Sequence, residues 1–261
     1  MIVLRSLLFN LVFYINLIVQ MIIFTPFYFL APRKLAYTVP KNWVRSNHWL
    51  LKVMVGTTFS IEGLENIPQG GCIFAPKHQS FWDAYGLLPW QDDPVYILKR
   101  ELMWIPVFGW YVAKQRMIPV DRGAKGKVMA DVLVRTRERM ADGRQLIIYP
   151  EGTRRPPGAP SEYKYGIARL YRDLQVPVVP IVMHPGLFWP RRKFLRYPGH
   201  FIVRILPAIP PGMEPDQFFE HLVTVMETAS DTLLVETVRD NPHLPLPPTA
   251  RTRITELGFP A

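Results

Sequence analysis

The sequence predicts an α/β fold, a mixed and largely parallel sheet flanked by helices, carried behind an N-terminal membrane-embedded helical segment. Three observations predict it. Short apolar runs alternate with stretches of helical periodicity along most of the chain, the pattern of an α/β sheet. Several of those runs, LIIY at 146–149 and VVPIVM at 178–183 among them, are apolar without alternation, which suits strands buried on both faces. Residues 6–30 contain no charged side chain at all.

The uncharged stretch comes first. As a straight helix it would measure ~37 Å, against a bilayer core of about 30 Å. It leaves through Ala31-Pro32-Arg33-Lys34, without the small-residue cleavage pattern of a signal peptide, so a membrane anchor is expected. Asn10, Asn16 and Gln20 need partners inside hydrocarbon, and Pro26 should kink or interrupt the helix. A helix that crosses and one that bends back within one leaflet both stay open. Arg5 precedes the stretch, whereas Arg33, Lys34, Arg45 and Lys52 follow it. The positive-inside rule then puts the rest of the chain on the cytoplasmic side, which for a bacterial chain means the inner membrane. Residues 41–55 mix Trp, Lys and Arg with apolar residues and read as an interfacial helix, or as one packed on the soluble part. Together these make an N-terminal unit, 1–57.

A catalytic α/β domain is expected over 58–240. Strands are expected at 59–62, 72–76, 95–98, 116–120, 145–149, 178–183 and 201–206. Helices are expected at 125–142, where Met129, Val132, Leu133, Thr136 and Met140 recur at helical spacing before Gly143, at 161–174, and at 216–238. The last carries Phe218, Leu222, Met226, Ala229 and Leu233 on one stripe. The tail, 241–261, opens with Pro-rich PHLPLPP and is expected to be extended.

Composition bounds the chemistry. Of 261 residues 49% are hydrophobic and 20% charged, which excludes a disordered or coiled-coil chain. The 31 basic and 21 acidic residues leave +10, which asks for a polyanionic partner: a phosphorylated ligand, nucleic acid or an anionic lipid surface. A single cysteine excludes a disulfide framework and a Cys-based zinc site. No His/Asp/Glu spacing suggests another metal. Nucleic acid fits the charge but neither the membrane segment nor any motif.

Two motifs carry chemistry. In Lys77-His78-Gln79-Ser80-Phe81-Trp82-Asp83, the strand CIFAP precedes and a helical-looking AYGLLPW follows. His78 therefore stands at the carboxyl end of a strand, where open α/β sheets place ligands. Ser80 and Asp83 resemble a capping box. From the first helical turn Asp83 can reach back to orient the imidazole. A His–Asp pair without a nucleophile serves as general base for a substrate's own hydroxyl; an ordinary N-cap with a solvent-facing His has the same letters. In Tyr149-Pro150-Glu151-Gly152-Thr153-Arg154-Arg155, Gly152 permits an unusual backbone angle and guanidinium groups can bind phosphate bidentately. A solvated surface turn is the other reading. Upstream, Ile118 to Arg122 ends a further strand in Arg.

Taken in order, His78 to Asp83, Met117 to Arg122, Pro150 to Arg154, and Val178 to Val182 with Pro180 resemble the glycerolipid acyltransferase family, whose N-terminal membrane segment also fits. The pattern is most similar to bacterial members that acylate 1-acyl-glycerol-3-phosphate (lysophosphatidic acid) to phosphatidic acid. The resemblance implies transfer from acyl-CoA or acyl-carrier protein to the sn-2 hydroxyl, without a cofactor. It implies His78 as base with Asp83 fixing its tautomer, and Arg122, Glu151, Gly152, Thr153 and Arg154 as the acceptor site. Glu151 sits oddly beside phosphate and is expected to hold an Arg or a glycerol hydroxyl instead. Lys77 departs from the usual Asn and Arg155 from the usual Ser. Rival readings are another acceptor, a lysophospholipid or ornithine lipid, and a membrane-bound hydrolase using the same pair on water. Residues 102–112 (LMWIPVFGWYV) line an acyl tunnel, dip into the interface, or form an ordinary core helix and turn. Arg191, Arg192, Lys193 and Arg196 beside Trp189 and Phe194 dock on anionic headgroups or form a solvated loop. Cys72, at a strand start, is expected to be a buried inert thiol, and His184 to border the site.

Overall fold

The structure, a computed structural model, describes residues 1–121 and 127–260, with the backbone alone over 127–130. Among the described residues seven strands form one sheet: β1 (Thr57–Glu62), β2 (Cys72–Pro76), β3 (Pro94–Lys99), β4 (Ile118–Val120), β5 (Gln145–Ile147), β6 (Val178–Met183) and β7 (Gly199–Ile205). Their order is β1-β7-β6-β2-β5-β3-β4. β6, β2, β5, β3 and β4 run parallel; β7 is antiparallel to β6, and β1 follows β7. The unalternating runs sit in the middle, and every residue of β2, β5 and β6 is buried, as two-sided burial requires.

Around the sheet lie α1 (Ile2–Leu30), α2 (Arg33–Ala36), α3 (Thr38–Leu50) continued by a π-helical turn at Leu51–Val55, α4 (Phe108–Lys114), α5 (Lys127–Ala141), α6 (Gly166–Leu174), α7 (Pro215–Asp240) and α8 (Pro248–Glu256). α7 buries the expected stripe, Phe218, Leu222, Met226 and Leu233, against one sheet face. The other face shares a core with the N-terminal helices. Phe9, Phe13, Val44 and Leu51 join Phe74, Ile181 and Val203 there. Leu244, Ala250 and Ile254 of the tail join the same core.

Three local expectations differ. The tail is not wholly extended: α8 begins at Pro248, whose fixed φ suits a first helical position, and Arg253 pairs with Asp231 on α7. The helical-looking stretch forms two single 3₁₀ turns, Trp82–Ala84, which ends on its first residue, and Leu88–Trp90, because Pro89 and Gly86 do not sustain a longer helix. Pro26 does not interrupt α1, which runs 29 residues.

α1 passes the length and hydropathy test for a membrane span, with only 11% of its most apolar window buried. Yet it lies along the domain from end to end. The Ser6 Oγ accepts the Arg196 N–H (2.9 Å), Asn10 Nδ2 donates to Phe194 O (2.9 Å), and Asn16 and Gln20 both donate to Ser46 Oγ on α3. Tyr28 stacks on Tyr111 of α4, and Lys114 donates to Phe29 O and Ala31 O. Asn10 thus donates to the domain and Asn16 and Gln20 donate to α3, while Gln20 Oε1 has no partner among the described residues. Leu4, Leu8, Leu11, Ile15, Ile18 and Ile22 remain exposed.

Candidate active site

Two loops meet because their strands are neighbours. β2 and β5 pair in parallel, Cys72 with Gln145 and Phe74 with Ile147, so both chains emerge at one edge. That brings the 77–83 and 149–155 loops together across 73 positions.

His78 is held on every side but one. Its N–H donates to Glu151 Oε2 (3.1 Å), and its C=O accepts the Arg155 N–H (2.8 Å). Its ring lies on that of Tyr149, centroids 4.0 Å apart at 23°, and the Tyr149 hydroxyl donates to Asp83 O. Nδ1 lies 3.1 Å from Asp83 Oδ2. The same oxygen accepts the backbone N–H groups of Gln79 (2.5 Å) and Ser80 (2.7 Å). An acceptor so used makes Nδ1 the donor, so Nε2 carries the lone pair. Nε2 is bonded to no described residue, which leaves it available to take a proton. The reach-back expected for Asp83 is present, although the element is one 3₁₀ turn.

The second loop divides into inward and outward residues. Gly152, at φ +67°, closes a turn onto Tyr149 O, and Thr153 beside it is exposed. The Arg154 guanidinium stands over the Phe81 ring, 5.7 Å from its centroid, and makes no ion pair among the described residues. Glu151 turns the other way. It is 1% exposed, with one oxygen on the His78 N–H and the other 3.7 Å from Lys77 Nζ. Burial pushes its pKa up, against the pull of the Lys77 ammonium and the His78 N–H. Its carboxylate therefore faces the Lys77 ammonium and a backbone amide, where the sequence leads us to expect an Arg or a glycerol hydroxyl. Arg122 lies outside the described residues; β4, before it, ends on the same sheet edge.

Other residues complete the surroundings. Phe81 lines an apolar cavity of about 240 Å³ between the sheet, α1 and α3, with Phe13, Leu17, Met21, Phe108 and Tyr111. The 102–112 segment thus contributes Phe108, Tyr111 and Val112 to that cavity while Trp104 and Trp110 stay exposed. Cys72 is buried and its thiol is pushed up to about 12 by burial. His184 is buried, its pKa lowered to about 4 by burial; Nδ1 meets Gln79 Nε2 (3.0 Å) and Nε2 meets Ser230 O (2.8 Å). Arg196 stacks on Trp189 (4.1 Å) and bonds Asn10, so it braces α1. Tyr149 opens the second motif but carries no assigned role in the sequence, and Glu227 escapes a sequence reading, 150 positions from the Lys77 it contacts.

A family model described as Acyltransferase matches residues 58–184. The chain is 35% identical over 171 residues to a 1-acyl-sn-glycerol-3-phosphate acyltransferase of Pseudomonas aeruginosa, covering 66% of each. It is 30% identical over 172 residues to the human 1-acyl-sn-glycerol-3-phosphate acyltransferase alpha, covering 64% of this chain and 60% of that one. The matches thus span slightly less than two thirds of these relatives. The fold is that of the 1-acyl-sn-glycerophosphate acyltransferase of Thermotoga maritima, with a TM-score of 0.73 over 88% of this chain and 97% of that one, at 23% identity.

Proposed function

The chain belongs to the acyltransferase family, and on that premise we propose that it moves a fatty acyl group from acyl-CoA or acyl-carrier protein to the sn-2 hydroxyl of 1-acyl-glycerol-3-phosphate, giving phosphatidic acid. The observation that carries this reading is the open Nε2 of an imidazole braced by Asp83, on the same loop as Phe81, whose ring meets the Arg154 guanidinium and lines an apolar cavity.

His78 Nε2 takes the proton of the glycerol hydroxyl as its oxygen attacks the thioester carbonyl. The tetrahedral intermediate collapses by breaking the carbon–sulfur bond, and the thiolate takes the proton back from the imidazolium. A thiol with a pKa near ~8.5 leaves readily, so no separate acid is needed. Asp83 holds the tautomer and supports the imidazolium. Arg154 offers its guanidinium to the phosphomonoester, and Arg122 stays assigned to the same site with Gly152 and Thr153. The apolar cavity takes an acyl tail.

Membrane attachment supports the same reading, because acceptor and product both carry tails. α1, tied to the domain from Ser6 to Ala31, lies in one leaflet with its exposed face toward lipid, flanked by Trp104 and Trp110. The basic residues after α1 favour the cytoplasmic face of the inner membrane.

Purified protein given a labelled acyl donor and a panel of lysolipids tests the reading by mass spectrometry of the products. Phosphatidic acid from 1-acyl-glycerol-3-phosphate is expected as the dominant product. Free fatty acid released without any lysolipid would instead make the protein a hydrolase.

A further inference from the structure

His78 is gripped through its backbone by a carboxylate that is itself almost fully buried. Such a group needs a nearby cation to stay charged. Three elements face Glu151. From its own loop comes Arg155, but that guanidinium is turned to Glu162 (2.7 Å) and Pro160 O. From α7 comes Glu227, another acid. From the end of β2 comes Lys77, 5% exposed, with Nζ 3.7 Å from Glu151 Oε1.

Lys77 is held in turn. Its Nζ donates to Glu227 Oε1 at 2.6 Å, the same oxygen accepts the Tyr163 hydroxyl at 2.6 Å, and the ammonium stands 5.6 Å over the Tyr163 ring. Glu227, 25% exposed, reaches a polar cavity of about 660 Å³ between the 151–161 loop, α7 and α8, so water shares its charge. α7 also holds the next residue of the loop: buried His184 links Gln79 to Ser230 O. Both neighbours of His78 are therefore tied to one helix.

We propose that Lys77 is a positioning residue: its ammonium, fixed by Glu227 of α7, keeps Glu151 charged, and charged Glu151 keeps the His78 backbone in register so that the ring meets Asp83. This rests on His78 being the base. A charged acceptor binds an N–H about twice as strongly as a neutral one, so neutralising Glu151 loosens His78. Without Lys77, the charge that most opposes burial is gone, only the His78 N–H and the more distant Arg155 still favour the carboxylate, and Glu151 would take up a proton at higher pH than in the native protein. The acidic limb of the kcat profile should then move upward. His184 stays neutral over that range, since burial holds it near about 4.

The test measures kcat, both KM values and their pH profiles, with a labelled acyl thioester and 1-acyl-glycerol-3-phosphate, for Lys77→Met, Lys77→Arg, Glu151→Gln and the Lys77→Met/Glu151→Gln pair. Lys77→Met should lower kcat by roughly tenfold or more at neutral pH, leave both KM values near native, and raise the acidic limb by about one pH unit or more. Lys77→Arg should recover most of the rate. The double variant should match Glu151→Gln alone, because no buried carboxylate remains to be charged. Should Lys77→Met not fold, the double variant, which carries no buried charge at this point, decides by the same comparison. An unaltered kcat, a loss without movement of the limb, or a double variant slower than Glu151→Gln would overturn the proposal. Those results with His78→Ala inactive would leave the base in place, whereas an active His78→Ala would remove the base itself.

Discussion

At the scale of single residues, the site separates groups that touch substrate from groups that aim them. Asp83 aims: one oxygen takes His78 Nδ1 and two backbone N–H groups. Asp83→Asn keeps the shape but offers an amide that can no longer accept all three. We expect kcat to fall by ~10²–10⁴ with acceptor KM little changed, and a rate near native would show that the tautomer is set elsewhere. On the proposed reading Arg154 touches substrate. Arg154→Ala should mainly raise the acceptor KM, and an unchanged KM would move the phosphate site. Cys72 is idle. With its thiol raised to about 12 by burial it stays protonated at neutral pH, so Cys72→Ser should retain activity. Much of this was legible in sequence. His78 and Asp83 stand five apart at a strand end, and only a turn there lets them meet. The orientation of Glu151 was not legible, because its partner Lys77 belongs to a different strand and the Glu227 behind Lys77 to a distant helix.

At the scale of elements, the strand order does the assembling. β2 lies between β5 and β6, so its carboxyl end collects the 149–155 loop on one side and His184 on the other. The apolar runs predict which strands are central; nothing local predicts that β7 reverses against β6. At the opposite edge, Asp93 just before β3 pins α2 to the sheet. It pairs with Arg33 (2.5 and 2.7 Å) and with Arg144 (3.0 Å), which is 0% exposed and also donates to Pro94 O and Gln115 O. Burial opposes the charge on Asp93, but Arg33 and Arg144 outweigh it and hold the carboxyl below its usual range. Its folded-state pKa being depressed, the stability it contributes is present above the unfolded value of about 3.9 and fades as pH falls through the folded value. Asp93→Ala leaves Arg144 buried and unpaired, and should cost about 3–5 kcal/mol in urea unfolding at neutral pH. A loss under about 1 kcal/mol would mean the pair is as weak as a surface one.

For the whole molecule, the proposed reading makes the relation between α1 and the domain govern how substrate arrives. The length of α1 predicts a membrane element, and its three amides mark where the domain grips it: Asn10 at Phe194 and Arg196, Asn16 and Gln20 at Ser46. Whether it crosses or lies flat could not be read from hydropathy, because the tie points are far apart in sequence. The apolar cavity lies between α1, α3 and the sheet and is lined by Phe81; on the proposed reading a lipid tail enters it from the side of α1. Replacing Leu11, Ile15, Ile18 and Ile22 together with Ser should abolish flotation with anionic liposomes while leaving turnover of a short-chain, water-soluble acceptor near native. Flotation that survives would place membrane binding on another face.

On the proposed reading His78, braced by Asp83, removes the proton from a lysolipid hydroxyl. The most direct measurement is phosphatidic acid formation by folded His78→Ala, at saturating 1-acyl-glycerol-3-phosphate and labelled acyl donor. Loss of at least ~10²-fold in turnover relative to the native chain is the predicted result; phosphatidic acid at a near-native rate would contradict it.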